Sequence, residues 1–170
     1  RAWWQTEFEP SLFKYLVNAL VNDLLTNEPR AGHEPSHHIA YMYAYAGQQW
    51  KAAEKVRFIM DEFYTDKPDG VIGNEDCGQM SAWYVLSAMG FYQENPSDGT
   101  FVFGSPRFDK MTVEVRGGNV LTIEAENNSK ENVYIQKVFV NGQPYEKSYI
   151  TYDEIIKGGT IKYVMGPEPN

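Results

Sequence analysis

The sequence predicts an α+β fold in which several helices are followed by a small antiparallel β unit. Between residues 11 and 90, apolar side chains recur three and four positions apart, which is the spacing of one face of a helix. From Met111 onward, apolar and polar residues alternate with the period of two that is typical of half-buried strands. The change of period places a boundary near residues 92–104. It divides the chain into a helical region, 1–91, and a β-rich region, 92–170.

Four helices are expected in the first region. The first follows Ser11, whose hydroxyl suits an N-cap, and is broken by the Pro- and Gly-containing segment 28–32. The others are predicted over about 36–46, 49–64 and 79–89. The last is nearly all apolar or small, so most of its surface should be buried. Helices with long loops at their ends, followed by a β cap, are compatible with part of an α/α toroid.

Strands are predicted in the second region at residues 111–115, 120–125, 133–140 and 161–165. Gly117-Gly118 is a turn signal between the first two strands, and Asn141-Gly142 is a strong hairpin signal after the third.

The composition disfavours several classes of function. A net charge of -8, with no basic run among the aromatic residues, argues against a surface for nucleic acid. No apolar run approaches the roughly 20 residues of a membrane span. The single cysteine, Cys77, cannot form an internal disulfide. The chain opens at Arg1 with no signal peptide, so we expect a C-terminal fragment whose export signal, if present, lies upstream.

All three histidines lie within six residues, in the segment 33–38. His33-Glu34-Pro35-Ser36-His37 matches the H-E-x-x-H pattern of zinc proteases, which requires both histidines on one helix. Pro35 argues against that reading, because the residue before a proline is extended and a proline suits the first helical position. A loop bearing His33 and Glu34 offers instead a donor and an acceptor to adjacent sugar hydroxyls. His37 and His38 point in different directions. One is expected to line the site and the other to pack in the core, and a purely structural role is an equal alternative for each.

A second motif, Gly73-Asn74-Glu75-Asp76-Cys77-Gly78, stands immediately before the last predicted helix. Carboxylates near a helix N-terminus are favoured in their ionised form by the helix dipole. An ionised carboxylate in a concave site can act as a general base or bind a cation. An ordinary acidic helix cap is the alternative, and composition alone favours it.

Read together, three segments resemble glycoside hydrolase family 92, the calcium-dependent inverting exo-α-mannosidases. These are HEPSHHIAYMYAYAGQQW (33–50), DEFYTDKPDGVIGNEDCGQMSAWYVLSAMGFY (61–92) and GSPRFDKMTV (104–113). The tail over 125–163 resembles the C-terminal β region of that family. The resemblance covers roughly residues 30–165.

The resemblance implies an N-terminal β-sandwich joined to an (α/α)6 barrel, of which this chain would supply the last part. It implies hydrolysis with inversion, in which an acid protonates the leaving oxygen and a base opposite activates water. By motif match Asp76 is the base, with Glu75 in reserve, since Asn74 stands where some relatives have a second acid. His33 and Glu34 match the variant associated with α-1,2-linked substrates, and His37 is expected to join them in binding substrate.

Calcium is the implied cofactor, although its ligands are not identified. Mannose-containing glycans, N-glycans among them, are the implied substrates, and the implied location is secreted or periplasmic. The general acid has no match in this chain, so we expect the chain alone to be inactive without the missing β-sandwich and the remainder of the barrel. The alternatives are a non-catalytic carbohydrate-binding module, a structural fragment without a ligand and, least favoured, a zinc hydrolase.

Overall fold

The computed structural model describes residues 37–170, and its helices lie mainly in the first half of that range. A 3₁₀ turn, Ile39–Tyr41, leads into α1; the α-helices are α1 (Met42–Tyr45), α2 (Gln49–Phe63), α3 (Gln79–Ala88) and α4 (Tyr152–Ile155). The helices predicted over 49–64 and 79–89 are confirmed in position, but α3 is less buried than predicted, because Ser81, Ala82 and Val85 are exposed. The one predicted over 36–46 is a 3₁₀ turn followed by a single α-helical turn, and the one after Ser11 lies outside the described residues. Within residues 37–170 no helix has the length and apolar character that a membrane span requires.

Helix α2 buries the face that its apolar spacing predicted. Ala52, Ala53, Val56, Ile59 and Met60 are each at most 3% exposed. Val56, Ile59 and Met60 pack in one core cluster with side chains from α3 and from the following strands, and Ala52 packs in a smaller cluster with Tyr43 and Ala46. Burial of this face, rather than helix propensity, supplies most of the stability of such a helix.

The strands of the described region form two sheets. Their bounds are β1 (Phe91–Tyr92), β2 (Thr100–Phe103), β3 (Lys110–Glu114), β4 (Val120–Glu126), β5 (Tyr134–Val140), β6 (Gln143–Tyr145), β7 (Tyr149–Thr151) and β8 (Gly159–Gly166). One sheet has the order β3-β4-β8-β5-β6, and the other has the order β1-β2-β7. The α+β class is thus confirmed, and the predicted turn at Asn141-Gly142 joins β5 to β6.

Two features of the β-rich region differ from the prediction. The unit is not wholly antiparallel, because β4 and β8 pair in parallel, with Ile123 opposite Ile161. The segment 127–158 between them is long enough to return the chain to the same end of the sheet, as a parallel pair requires. In addition, the expected boundary segment 92–104 contains β2 and the end of β1. The division of the chain into two domains there stays a prediction.

The junction between the end of α3 and the start of β1 packs closely against the larger sheet. Gly90 has a φ of 94°, and a Cβ at this position would lie 2.9 Å from the ring of the buried Tyr163. Both the backbone conformation and the small space therefore favour glycine at position 90.

Buried Arg57 of α2 donates to Ser105 Oγ at 3.1 Å and to Asn128 Oδ1 at 2.8 Å, which ties the helices to the loops around β3 and β4.

Candidate active site

The loop of residues 65–78 carries the two predicted catalytic carboxylates from α2 to α3. At its start Tyr64 pairs with Val71 in a single antiparallel bridge, and Thr65 N donates to Gly70 O at 2.8 Å. Gly70 is required there, because a Cβ would lie 2.1 Å from the Thr65 carbonyl oxygen. The first half of the loop therefore folds back on the end of α2, and the second half leads directly into α3.

The backbone immediately before α3 is left-handed at three successive residues. The φ angle is 40° at Asp76, 58° at Cys77 and 87° at Gly78. Left-handed backbone costs a residue with a Cβ roughly 1–2 kcal/mol, although aspartate tolerates it better than most. The turn is closed by hydrogen bonds from Gln79 N to Asp76 O (3.1 Å) and from Met80 N to Glu75 O (3.4 Å). Strained backbone of this kind is concentrated at functional sites.

The two carboxylates of the loop have different surroundings. Glu75 is half-buried, and its Oε1 accepts a hydrogen bond from Ser81 N at 3.2 Å, so it caps the first turn of α3. Asp76 is exposed, and its carboxylate has no hydrogen bond or ion pair with another described residue. The acidic-cap role therefore belongs to Glu75, which leaves the Asp76 carboxylate available to a ligand.

Trp83 of α3 is the centre of an aromatic cluster that also contains His37, Tyr64 and Tyr92, named here the Trp83 cluster. Trp83 is fully buried. Its ring centroid lies 5.1 Å from that of His37, 5.7 Å from that of Tyr64 and 6.4 Å from that of Tyr92. The Tyr64 and Trp83 rings are inclined by only 17°, which is a stacked arrangement.

The two tyrosines of the Trp83 cluster are bonded to the first turn of α3. Tyr64 Oη donates to Met80 O at 3.2 Å, and Tyr92 Oη accepts from Gln79 Nε2 at 3.1 Å. Burial, and then the negative charge of Glu75, raise the pKa of Tyr64. Burial also raises the pKa of Tyr92. Both phenols are therefore neutral near physiological pH and serve as hydrogen-bonding groups.

His37 is buried in the described structure. Its side chain packs on Trp83, and neither ring nitrogen has a hydrogen-bond partner. Burial, and then the neighbouring His38, lower the pKa of His37 to about 4, so the imidazole is neutral at pH 7. A contact between His37 and substrate stays a prediction. The two residues expected to contact the leaving sugar, His33 and Glu34, lie outside the described residues.

A cleft of about 610 Å³ opens beside the loop, between α2 and α3. Tyr84, Ser81 and Asp66 line it, together with an ion pair in which Arg107 Nε lies 2.9 Å from Asp61 Oδ1. The volume is in the ordinary range for small-molecule sites, but neither Glu75 nor Asp76 lines this cleft.

The oxygen donors of the loop suit a hard cation only in part. Glu75, Asp76 and the side-chain carbonyl of Asn74 offer the ligand type that calcium prefers, but calcium takes six to eight oxygens. Residues 37–170 contain no group of three or more histidine, cysteine or acidic side chains placed to hold a metal ion. The acidic side chains of residues 37–170 therefore supply at most part of a calcium site.

Sequence reasoning identified the loop but not the residues that support it. Trp83, Tyr64 and Tyr92 have no motif of their own, and in the sequence they are ordinary core aromatics. The signal that would have indicated Trp83 is its helical spacing from Gln79 and Met80, which places all three on one face of α3.

Comparison with known proteins leads to the glycoside hydrolases. The sequence model described as the glycosyl hydrolase family 92 catalytic domain matches residues 8–167. The chain therefore belongs to glycosyl hydrolase family 92, as its motifs predicted.

Individual relatives agree with this assignment. An uncharacterized secreted glycosidase of Arthroderma benhamiae is 31% identical over 140 residues, which are 81% of this chain and 18% of that protein. A family 92 α-mannosidase of Bacteroides thetaiotaomicron has a TM-score of 0.80 and 43% identity, over 83% of this chain and 19% of its own. A family 92 inverting mannosidase of the same organism has a TM-score of 0.75 and 40% identity, over 82% of this chain and 19% of its own. The chain thus spans less than a fifth of the length of these relatives.

Proposed function

We propose that the complete protein is a secreted or periplasmic exo-α-mannosidase. It removes terminal α-1,2-linked mannose from glycans with inversion and depends on calcium. The observation that carries the proposal is the 40–43% identity to two family 92 mannosidases, one of them described as inverting, with TM-scores of 0.75–0.80. In the complete protein, the helices of this chain would form the last part of an (α/α)6 barrel.

In this proposal Asp76 is the general base. An inverting glycosidase needs one carboxylate that is free to deprotonate a water molecule on the face of the sugar opposite the leaving group. Asp76 suits this role because it is ionisable, exposed and not engaged by another described side chain. Glu75 is the reserve candidate, and its hydrogen bond to Ser81 N argues for a supporting role. The general acid is assigned to a part of the complete protein outside this sequence.

His33, Glu34 and His37 are proposed to bind the substrate. The first two would hold the leaving sugar and select the α-1,2 linkage. Calcium, when bound, would supply positive charge and coordination positions that the hydroxyl oxygens of the terminal mannose could occupy. The loop of residues 73–78 would offer oxygen ligands, with the remaining ligands coming from elsewhere in the complete protein.

The proposal is tested by expressing the complete protein and measuring hydrolysis of α-1,2-, α-1,3- and α-1,6-linked mannobiose. We expect the α-1,2 isomer to react fastest, activity to be lost with a chelator, and calcium but not zinc to restore it. Residues 1–170 alone should be inactive on the same substrates. Mannose binding without turnover by the complete protein would favour a carbohydrate-binding module instead, and restoration by zinc alone would favour a zinc hydrolase.

A further inference from the structure

The left-handed turn that precedes α3 is bonded to the first two residues of that helix. Gln79 N donates to Asp76 O, and Met80 N donates to Glu75 O. Gln79 and Met80 each make one further hydrogen bond, to a tyrosine that belongs to another element of the fold. The Asp76 carboxylate has no partner among the described residues, so its placement depends on how firmly the backbone of this turn is held.

Tyr64 reaches the turn from the end of α2. It is the first residue after that helix, and its hydroxyl donates to Met80 O at 3.2 Å. Its ring contacts two successive rings of α3, with centroid distances of 5.7 Å to Trp83 and 5.0 Å to Tyr84. Burial raises the pKa of Tyr64, so the phenol keeps the proton that it donates. The ring packing therefore holds a donor in place beside the residue that closes the turn.

Tyr92 reaches the turn from β1. Its hydroxyl accepts from Gln79 Nε2 at 3.1 Å. Its backbone pairs with Val102 of β2, and its ring stacks on that of Tyr41 with centroids 5.3 Å apart. The turn is thus connected to α2 through Met80 and to the smaller sheet through Gln79, by two hydroxyl groups that meet adjacent residues of α3.

We propose that Tyr64 and Tyr92 are positioning residues, which hold the left-handed turn so that the Asp76 carboxylate is oriented to deprotonate water. This inference rests on the proposed mannosidase function, with Asp76 as the general base. Left-handed backbone is disfavoured at Asp76 and at Cys77, because both residues carry a Cβ. A turn with fewer hydrogen bonds would therefore occupy other backbone conformations, in which the carboxylate points elsewhere. Turnover would fall, while the affinity for substrate would be retained.

Tyr64→Phe is the principal test, because it removes the hydroxyl and keeps the ring. A misplacement of about 1 Å can cost on the order of a hundredfold in rate. We expect kcat of the complete protein on 4-nitrophenyl α-mannoside to fall about tenfold, with KM within about twofold of wild type. Tyr92→Phe should lower kcat about threefold, since its connection to the turn passes through the longer side chain of Gln79.

A double-mutant cycle and a matched control separate positioning from general stabilisation. In an Asp76→Asn background the base is already absent, so Tyr64→Phe should change the residual rate less than about twofold. Tyr41→Phe is the control, because it also removes a hydroxyl bonded to α3, but at the opposite end of the helix, where Tyr41 Oη donates to buried Ser87 Oγ at 2.8 Å. It should lower the melting temperature and leave kcat within about twofold of wild type.

The outcomes distinguish the inference from the function on which it rests. If the wild-type protein cleaves the aryl mannoside and a tyrosine variant keeps kcat within twofold, that tyrosine has only a structural role. The same conclusion follows if Tyr64→Phe lowers the rate equally with Asp76 and with Asn at position 76, or if Tyr41→Phe loses as much activity. An undiminished rate in Asp76→Asn would overturn the positioning role and leave the mannosidase function standing. If the wild-type protein cleaves no α-mannoside, the proposed function itself is wrong.

Discussion

The two acids of the carboxylate loop differ in their contacts, and this difference predicts opposite results for their amide variants. Asp76→Asn removes a charge that no described side chain pairs with, and asparagine is among the residues that best tolerate left-handed backbone. The free energy of unfolding should therefore change by less than about 0.5 kcal/mol. Loss of a general base lowers the rate roughly 10²–10⁴-fold, which raises the activation barrier by about 3–5 kcal/mol.

Glu75 should behave in the opposite way. Glu75→Gln keeps an oxygen that can accept from Ser81 N, so we expect the rate to stay within about tenfold of wild type. Glu75→Ala removes the cap and should cost about 1 kcal/mol of stability.

The assay is the steady-state rate of the complete protein on α-1,2-mannobiose, paired with urea denaturation of each variant. The reasoning is refuted if Asp76→Asn keeps more than a tenth of the wild-type rate. It is equally refuted if Glu75→Gln loses more than a hundredfold while remaining as stable as wild type.

Three further predictions concern stability: two follow from single contacts, and the third follows from the burial of His37. Gly70→Ala should destabilise the protein by about 1–3 kcal/mol in urea denaturation, because its Cβ would overlap the Thr65 carbonyl oxygen; an unchanged midpoint would show that the loop relaxes freely. Arg57→Met should cost about 3 kcal/mol, since it leaves buried acceptors, Ser105 Oγ among them, without the Arg57 donor; Arg57→Lys, which keeps the charge but not the planar fork, should recover less than half of this loss. Since the pKa of His37 is lowered to about 4, the unfolded chain takes up a proton between pH 6.5 and 4 that the native protein does not. The free energy of unfolding should therefore fall by up to about 2 kcal/mol from pH 7 to pH 5, and a fall of equal size in His37→Phe would show that other groups cause it.

The regular helices were predictable because their signal is local. The buried face of α2 repeats over 15 residues, so its position follows from periodicity alone. The turn at Asn141-Gly142 was equally local. In contrast, β1 and β2 are two and four residues long, too short to show a period, and the parallel pairing of β4 with β8 depends on a connection of more than 30 residues. Strand pairing of this kind is set by tertiary packing, which no short window of sequence contains.

The loop that carries the candidate site was predictable from the sequence, but the roles of its individual residues were not. Glycine at 73 and 78 and the apolar helix that follows indicated a tight turn bearing carboxylates. The sequence did not indicate that the backbone of Asp76 itself adopts a left-handed conformation, or that Glu75 and not Asp76 caps α3. Nor did it single out Trp83 among four tryptophans, because the importance of Trp83 comes from His37 and Tyr64, which are distant along the chain.

The anomer of free mannose that the complete protein first releases from the methyl α-glycoside of α-1,2-mannobiose tests the central claim most directly. The leaving sugar of this substrate departs as methyl α-mannoside, so the only free mannose is the one whose bond is hydrolysed. A proton NMR time course, recorded before mutarotation equilibrates the product, distinguishes the two anomers. Inverting hydrolysis with Asp76 as base predicts β-mannose as the first product, and its initial rate of release should fall at least a hundredfold in Asp76→Asn. Release of α-mannose, or of β-mannose at an undiminished rate from the variant, would contradict the account.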